Sequence, residues 1–159
     1  MMTVSERTVA DWGSLFRAAL MIDHASPRVP VRSYRDLIVW QQAMDLVQAL
    51  YDATRTFPSE ERYGLVSQIR RAAVSVASNI AEGHARSIGD YIRHLFVSSG
   101  SLTEIETQVI LSHRLGFLPG DAMSSLLKSC DEIGRMLGAL RKSLQSRRAR
   151  LPKSLAPSP

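Results

Sequence analysis

The chain has 159 residues, 45% of them hydrophobic but only 6% aromatic, so it is long enough for one self-supporting core that must be built from aliphatic side chains and alanine. Such a composition suits helices better than β-sandwiches. Cys130 is the single cysteine, which excludes an intramolecular disulfide and any Cys-x-x-Cys metal or redox pair; a reducing, cytoplasmic setting is expected.

The formal charge of +5 is unevenly placed. Residues 1–32 carry four Arg against Glu6, Asp11 and Asp23, and residues 33–146 carry twelve Lys/Arg against twelve Asp/Glu. Residues 147–159 hold Arg147, Arg148, Arg150 and Lys153 with no acid, so the excess belongs mostly to the C-terminal end. A basic tail can meet nucleic-acid phosphates, or simply be solvated. No stretch approaches the roughly 20 apolar residues that span a bilayer, and Glu6, Arg7 and Asp11 do not fit an export signal.

In chain order, residues 1–33 read as a separate N-terminal arm. Trp12, Leu15, Phe16 and Ala19 follow i, i+3, i+4, i+7 spacing and predict a short amphipathic helix, which Pro27 and Pro30 end as an extended linker. The first long helix is expected from about Asp36 to Thr56, with Trp40, Ala43, Met44, Val47, Leu50, Tyr51 and Thr54 on one buried face. Pro58 stops it, and Ser59 is placed to cap a second helix over roughly Glu60 to Arg86. There Leu65, Ile69, Ala72, Ala73, Val76, Ile80 and Gly83 give the main stripe, widened by Val66, Val74, Ala77 and Ala81. A helix apolar on more than one side packs on more than one neighbour.

Ser87 as N-cap with Asp90 at the third position predicts the start of a third helix, running to about Leu115. Gly100 lies in its middle, where close approach of another backbone would offset the roughly 1 kcal/mol that glycine costs in a helix. Gly116 and Pro119 close it, and a fourth helix is expected over about Pro119 to Ser146, with Gly134 and Gly138 on one side as a close-contact pair. The short connections predict an all-α, antiparallel up-down-up-down four-helix bundle over residues 34–146, followed by a basic, proline-containing tail at 147–159.

Five segments together resemble a known family: Leu37 to Gln41, Phe57 to Leu65, Gln68 to Val76, Ser78 to Gly83 and Gly100 to Gln108. They are similar to the four helix bundle protein family, also called the intervening-sequence proteins, some of which are encoded within insertions in bacterial large-subunit rRNA genes. The resemblance covers about Tyr34 to Leu144. It implies a small bacterial cytoplasmic protein that assembles as a ring-like homopentamer of antiparallel bundles, with no established catalytic activity. A more distant branch, the accessory variability proteins of diversity-generating retroelements, is basic, binds RNA and contacts a reverse transcriptase; the resemblance thus implies RNA or DNA, and a protein such as a reverse transcriptase, as candidate partners. Ala77 stands where many members carry proline, which removes the reason for a kink there.

Chemistry is sparse. A di-metal site in a bundle needs Glu-x-x-His on two helices; none occurs, and His24, His84, His94 and His113 are scattered, so no metal or other cofactor is expected. Cys130 sits on an apolar stripe with Leu126, Leu127, Ile133 and Leu137 and reads as a buried, inert thiol. Glu82 and Glu106 would be the only acid/base pair to consider. The structural reading places Arg70 or Arg71 in an ion pair with a Glu of an adjacent helix or subunit, has Asn79 satisfy backbone groups near the end of the second helix, and treats Glu82, Glu104 and Glu106 as polar or subunit contacts. Arg135, Arg141, Lys142, Arg147, Arg148, Arg150 and Lys153 are the candidate nucleic-acid contacts. The expected function is therefore a non-enzymatic, homo-oligomeric scaffold that binds nucleic acid, or a protein acting on it, through the basic end of the fourth helix. The alternative is a purely protein-binding or structural oligomer.

Overall fold

A computed structural model describes residues 32–150 of the chain. The expected helical arm within residues 1–31, and Lys153 with the rest of 151–159, lie outside the described residues. Among the described residues all regular structure is helical, with four α-helices: α1 (Ile38–Ala53), α2 (Leu65–His84), α3 (Ile88–Arg114) and α4 (Gly120–Ala149). Helix α1 packs on α2 and α4, and α3 packs on α2 and α4, with α2–α3 the most extensive pair. The result is a four-helix bundle around one aliphatic core.

That core is a direct consequence of helical spacing. Val39, Ala43, Leu46 and Leu50 of α1 recur at four-, three- and four-residue steps and are all buried. Ile69 and Ile80 of α2, Leu95 and Ile105 of α3, and Ile133 and Leu137 of α4 are at most 1% exposed. Each such side chain stabilises the fold by about 1.5–3 kcal/mol through burial. Phe57 and Phe117, with ring centroids 5.7 Å apart, pack together between the two interhelical loops. Helix α2 runs unbroken through Ala77, which is buried.

Several boundaries differ from expectation. Residues Tyr34–Asp36 form a 3-10 turn, closed by a reciprocal cap between Ser33 and Asp36, and α1 starts two residues after it. Helix α2 begins at Leu65 because Ser59 does not cap it: the Ser59 hydroxyl donates to Glu60, Ser59–Arg62 make a separate 3-10 turn, and the Glu61 carboxylate accepts the Leu65 N–H at 2.9 Å. On α1 the single expected face is too wide, since Met44 and Tyr51 are exposed. The start of α3 follows the sequence reading: the Ser87 hydroxyl accepts from the Asp90 N–H and donates to the Asp90 carboxylate. So does its end, where Gly116 takes φ of 77°. Helix α4 continues three residues past Ser146, which puts Arg147 and Arg148 in its last turn.

The glycines divide. A Cβ on Gly100 or Gly138 would meet nothing within 4 Å, so neither has the close approach expected of it; a Cβ on Gly134 would touch only Leu102 Cδ2, at 3.5 Å. The demanding position is Gly83, where a Cβ would lie 2.5 Å from Tyr91 Cδ2 and 2.9 Å from His94 Cβ. Here α2 and α3 approach so closely that no side chain fits. A polar seam continues along the pair. The Ser98 hydroxyl, fully buried, donates to the Val76 carbonyl at 3.1 Å; Ser75 and Ser101 hydroxyls are 2.8 Å apart; and Asn79 Oδ1 meets His94 Nδ1 at 2.9 Å.

Candidate nucleic-acid interface

The basic residues of α4 do not form one patch. Arg141 and Arg148 are seven residues apart and share a face, and both reach α3. The Arg141 guanidinium sits 4.3 Å from the centroid of Phe96 and donates to Ser99 Oγ at 3.5 Å. The Arg148 guanidinium packs beside Gly89. Arg135 and Lys142, also seven apart, occupy a different side, and Arg135 lies about 20 Å along the axis from Arg148. Arg147 and Arg150 are exposed at the helix end. Among the described residues none of these six cations has a carboxylate at ion-pairing distance; the salt bridges are Arg55–Asp52, Arg86–Glu82 and Arg93–Asp90, and His94 Nε2 lies 3.9 Å from Glu82.

The geometry adds one residue that periodicity had passed over. Phe96 is 54% exposed and stands under Arg141. Its signal in the sequence was a large aromatic off the α3 stripe. The end of α4 is thus cationic, with the exposed Phe96 ring held against Arg141 alone; cations of this kind contact phosphates, and an exposed ring can stack a base.

The remaining polar residues fall elsewhere. Among the described residues of the chain, neither Arg70 nor Arg71 has the expected ion pair with a glutamate. Arg70 instead donates through Nε to Thr54 Oγ1 at 3.0 Å and through Nη2 to the Tyr51 carbonyl at 3.4 Å, with its guanidinium 4.5 Å from the Tyr51 ring centroid. A buried hydroxyl, a carbonyl and a ring face thus hold it in place of a carboxylate. Arg71 is exposed. Asn79 donates to the Ser75 carbonyl at 2.9 Å, one backbone group in α2 itself, while its Oδ1 bridges to α3. Glu82 pairs with Arg86 at 2.7 Å, and Glu104 accepts from Gln108 at 3.0 Å.

Glu106 is remote from Glu82. The latter faces His94, twelve residues before Glu106 on α3, or about 18 Å along the axis, so the two do not make an acid/base pair. Glu106 lies near Cys130 and Asp131 of α4; partial burial, and then the Asp131 charge, raise its pKa. The Cys130 thiol is fully buried, and desolvation, with Glu106 and Asp131 adding to it, pushes its pKa up to about 12. A thiol in that state is no nucleophile at neutral pH. Among the described residues no three His, Cys, Asp or Glu gather to hold a metal, and no helix is long and apolar enough to cross a membrane.

A family model, the 23S rRNA-intervening sequence protein, matches residues 35–139. The chain belongs to this family. A search among curated proteins gives no match. Among solved structures, the chain is similar to a protein of unknown function from the S23 ribosomal protein family of Bacteroides thetaiotaomicron, with TM-score 0.61 and 20% identity over 66% of this chain and 96% of that one. At that identity the likeness speaks for the fold alone. Neither description carries a catalytic activity. In this intervening-sequence protein the α2–α3 seam, Arg70, Arg71 and Arg135 lie inside the matched segment, whereas Arg141 to Arg150 lie beyond it.

Proposed function

We propose that this family member is a non-enzymatic, cytoplasmic, homo-oligomeric scaffold that binds nucleic acid through the basic end of α4. The observation that carries the reading is the set Arg141, Arg147, Arg148 and Arg150, four cations without ion-pair partners among the described residues, the first of which lies against the exposed ring of Phe96. Basic residues also complement a helix C-terminus, but that role does not call for an exposed aromatic beside them. An antiparallel, up-down-up-down order is supported by the seam: as positions fall along α2 from Asn79 to Val76 to Ser75, their partners rise along α3 from His94 to Ser98 to Ser101.

Self-association, as a ring-like homopentamer in the family manner, is supported by Leu111 and Leu115, exposed apolar residues one turn apart at the C-terminal end of α3. In a ring the basic ends would be repeated, and weak phosphate contacts would multiply. The same exposed leucines favour the second reading, a protein-binding oligomer without nucleic-acid affinity, with a protein such as a reverse transcriptase among the partners it would suit.

Titration with RNA and with DNA at two salt concentrations separates the readings. The first expects binding at low salt with a steep salt slope, and a combined Arg141→Ala, Arg147→Ala, Arg148→Ala, Arg150→Ala variant that loses about 0.7–0.9 in slope for each phosphate contact removed. Absence of binding at low salt leaves the protein-binding reading. Light scattering should give a mass near five chains, and a clean monomer would refute the ring.

A further inference from the structure

We propose that a groove between the end of α1 and the first turns of α2 is a nucleotide site, taking a phosphate ester that carries a planar ring. The groove has a volume of about 490 Å³ and is open to solvent, a size at which small-molecule sites occur. Arg62, Arg70, Arg71, Tyr51, Tyr63 and Val74 form most of its wall, and among the described residues no carboxylate lines it. It lies within the family-matched segment and on different helices from the basic end of α4, so it does not depend on the reading given above.

Three features of the groove point to this ligand. First, the cations are unneutralised. Arg62 and Arg71 have no carboxylate partner among the described residues, and the nearby acid Glu61 is engaged at the Leu65 N–H. Second, one guanidinium is already fixed. Thr54, 4% exposed, and the Tyr51 carbonyl hold Arg70 through Nε and Nη2, and the Tyr51 ring supports its face, which leaves Nη1 without a partner among the described residues. A planar donor set held in advance loses little freedom on meeting a phosphate, and arginine forks match phosphate oxygens two at a time. Third, Tyr63 is 87% exposed, a large ring with almost no packing in the chain. A ring left so bare beside three guanidiniums suits a stacked base. An acidic peptide would use the cations and leave Tyr63 idle, so the nucleotide accounts for more of the wall.

The source of the ligand, free nucleotide or strand, is distinguished by calorimetric titration of the full chain at low salt with AMP, inorganic phosphate and a pentauridylate. AMP should bind saturably and at least about fivefold more tightly than phosphate, the increment expected from one stacked base. Tyr63→Ala should bring AMP down to the phosphate level. Arg62→Ala with Arg71→Ala should weaken both by at least about tenfold, the loss expected when two charge-assisted contacts go. Circular dichroism checks that these surface variants keep their helices. Where AMP exceeds phosphate, the part of pentauridylate binding that the groove substitutions remove decides the source: if it is tighter than AMP the site takes a strand, and if weaker a free nucleotide, and either sustains the proposal. In an Arg141→Ala, Arg148→Ala background, which removes any AMP held at the end of α4, the groove substitutions should cause losses of the same size, so failure of the α4 reading and failure of this one are seen separately. The proposal is overturned if neither AMP nor pentauridylate binds, if AMP binds no better than phosphate, or if the groove variants shift the mass by light scattering and leave AMP binding intact.

Discussion

Along the α2–α3 seam Ser75, Asn79, Ser98 and Ser101 spend their hydrogen bonds on one another, on His94 Nδ1 or on the backbone, and a glycine is required where the helices come closest. Along the last turns of α4 the opposite holds: Arg141, Arg147, Arg148 and Arg150 have no carboxylate partners among the described residues, and the nearest ring, Phe96, is half in solvent. Both regions are polar, and both stand out in the sequence. The seam's polar groups are consumed in holding two helices together, while the helix end has charge to offer a partner. Residue type alone does not separate these cases; the availability of each group's bonding capacity does.

The comparison breaks first at Gly83. In Gly83→Ala the new methyl would fall 2.5 Å from the Tyr91 ring, itself buried against the core, so the helices must part or the ring must move. Overpacking of this kind costs about 1–3 kcal/mol, against a gain of about 1 kcal/mol from replacing glycine in a helix. A net loss of about 2 kcal/mol in urea unfolding is expected at the upper end of that range, and an unchanged midpoint would show that α2 and α3 do not meet there as closely as described. Ser98→Ala is next. It removes one buried hydroxyl bond to the Val76 carbonyl and should cost about 1 kcal/mol. An Arg147→Ala, Arg150→Ala variant at the end of α4 sharpens the contrast, because it should stay within about 0.5 kcal/mol of the parent while altering nucleic-acid binding. A larger loss of stability there would mean that those cations are structural after all.

Much of the fold is legible from periodicity because burial in a bundle is set by which side of a helix a residue occupies. The main stripe of α2, the Cys130 stripe of α4, the Ser87 cap and the Gly116 stop follow from local rules that need no tertiary information. The misreadings are tertiary. Ser59 is a good cap by type, but Glu61 reaches the α2 start instead. Gly100 and Gly138 look like contact glycines and touch nothing, whereas Gly83, on the main stripe of the second helix, is the one in contact. The Arg70 partner could not be read because it is a threonine hydroxyl and a carbonyl rather than an opposite charge. The groove with Tyr63 stayed hidden for a related reason: its wall joins a loop residue to two helix faces, and no single period brings them together.

The smallest effect tests the carboxylate that the sequence offered as half of an acid/base pair. Glu106 is half-buried on α3, and desolvation, then the charge of Asp131, raise its pKa above the usual 4.5. The fold therefore prefers the protonated form. Its contribution to stability is complete below the ordinary carboxylate range and is lost as pH rises through the raised value, so at neutral pH the charged side chain works against the fold. Glu106→Gln keeps the shape and removes the charge. The variant should unfold at a slightly higher temperature than the parent at pH 7, by a few tenths of a kcal/mol given how much solvent screens the site. The difference should shrink toward pH 4 as the parent protonates. A variant less stable at pH 7 would mean that the Glu106 charge has a stabilising partner that its position beside Cys130 and Asp131 does not supply.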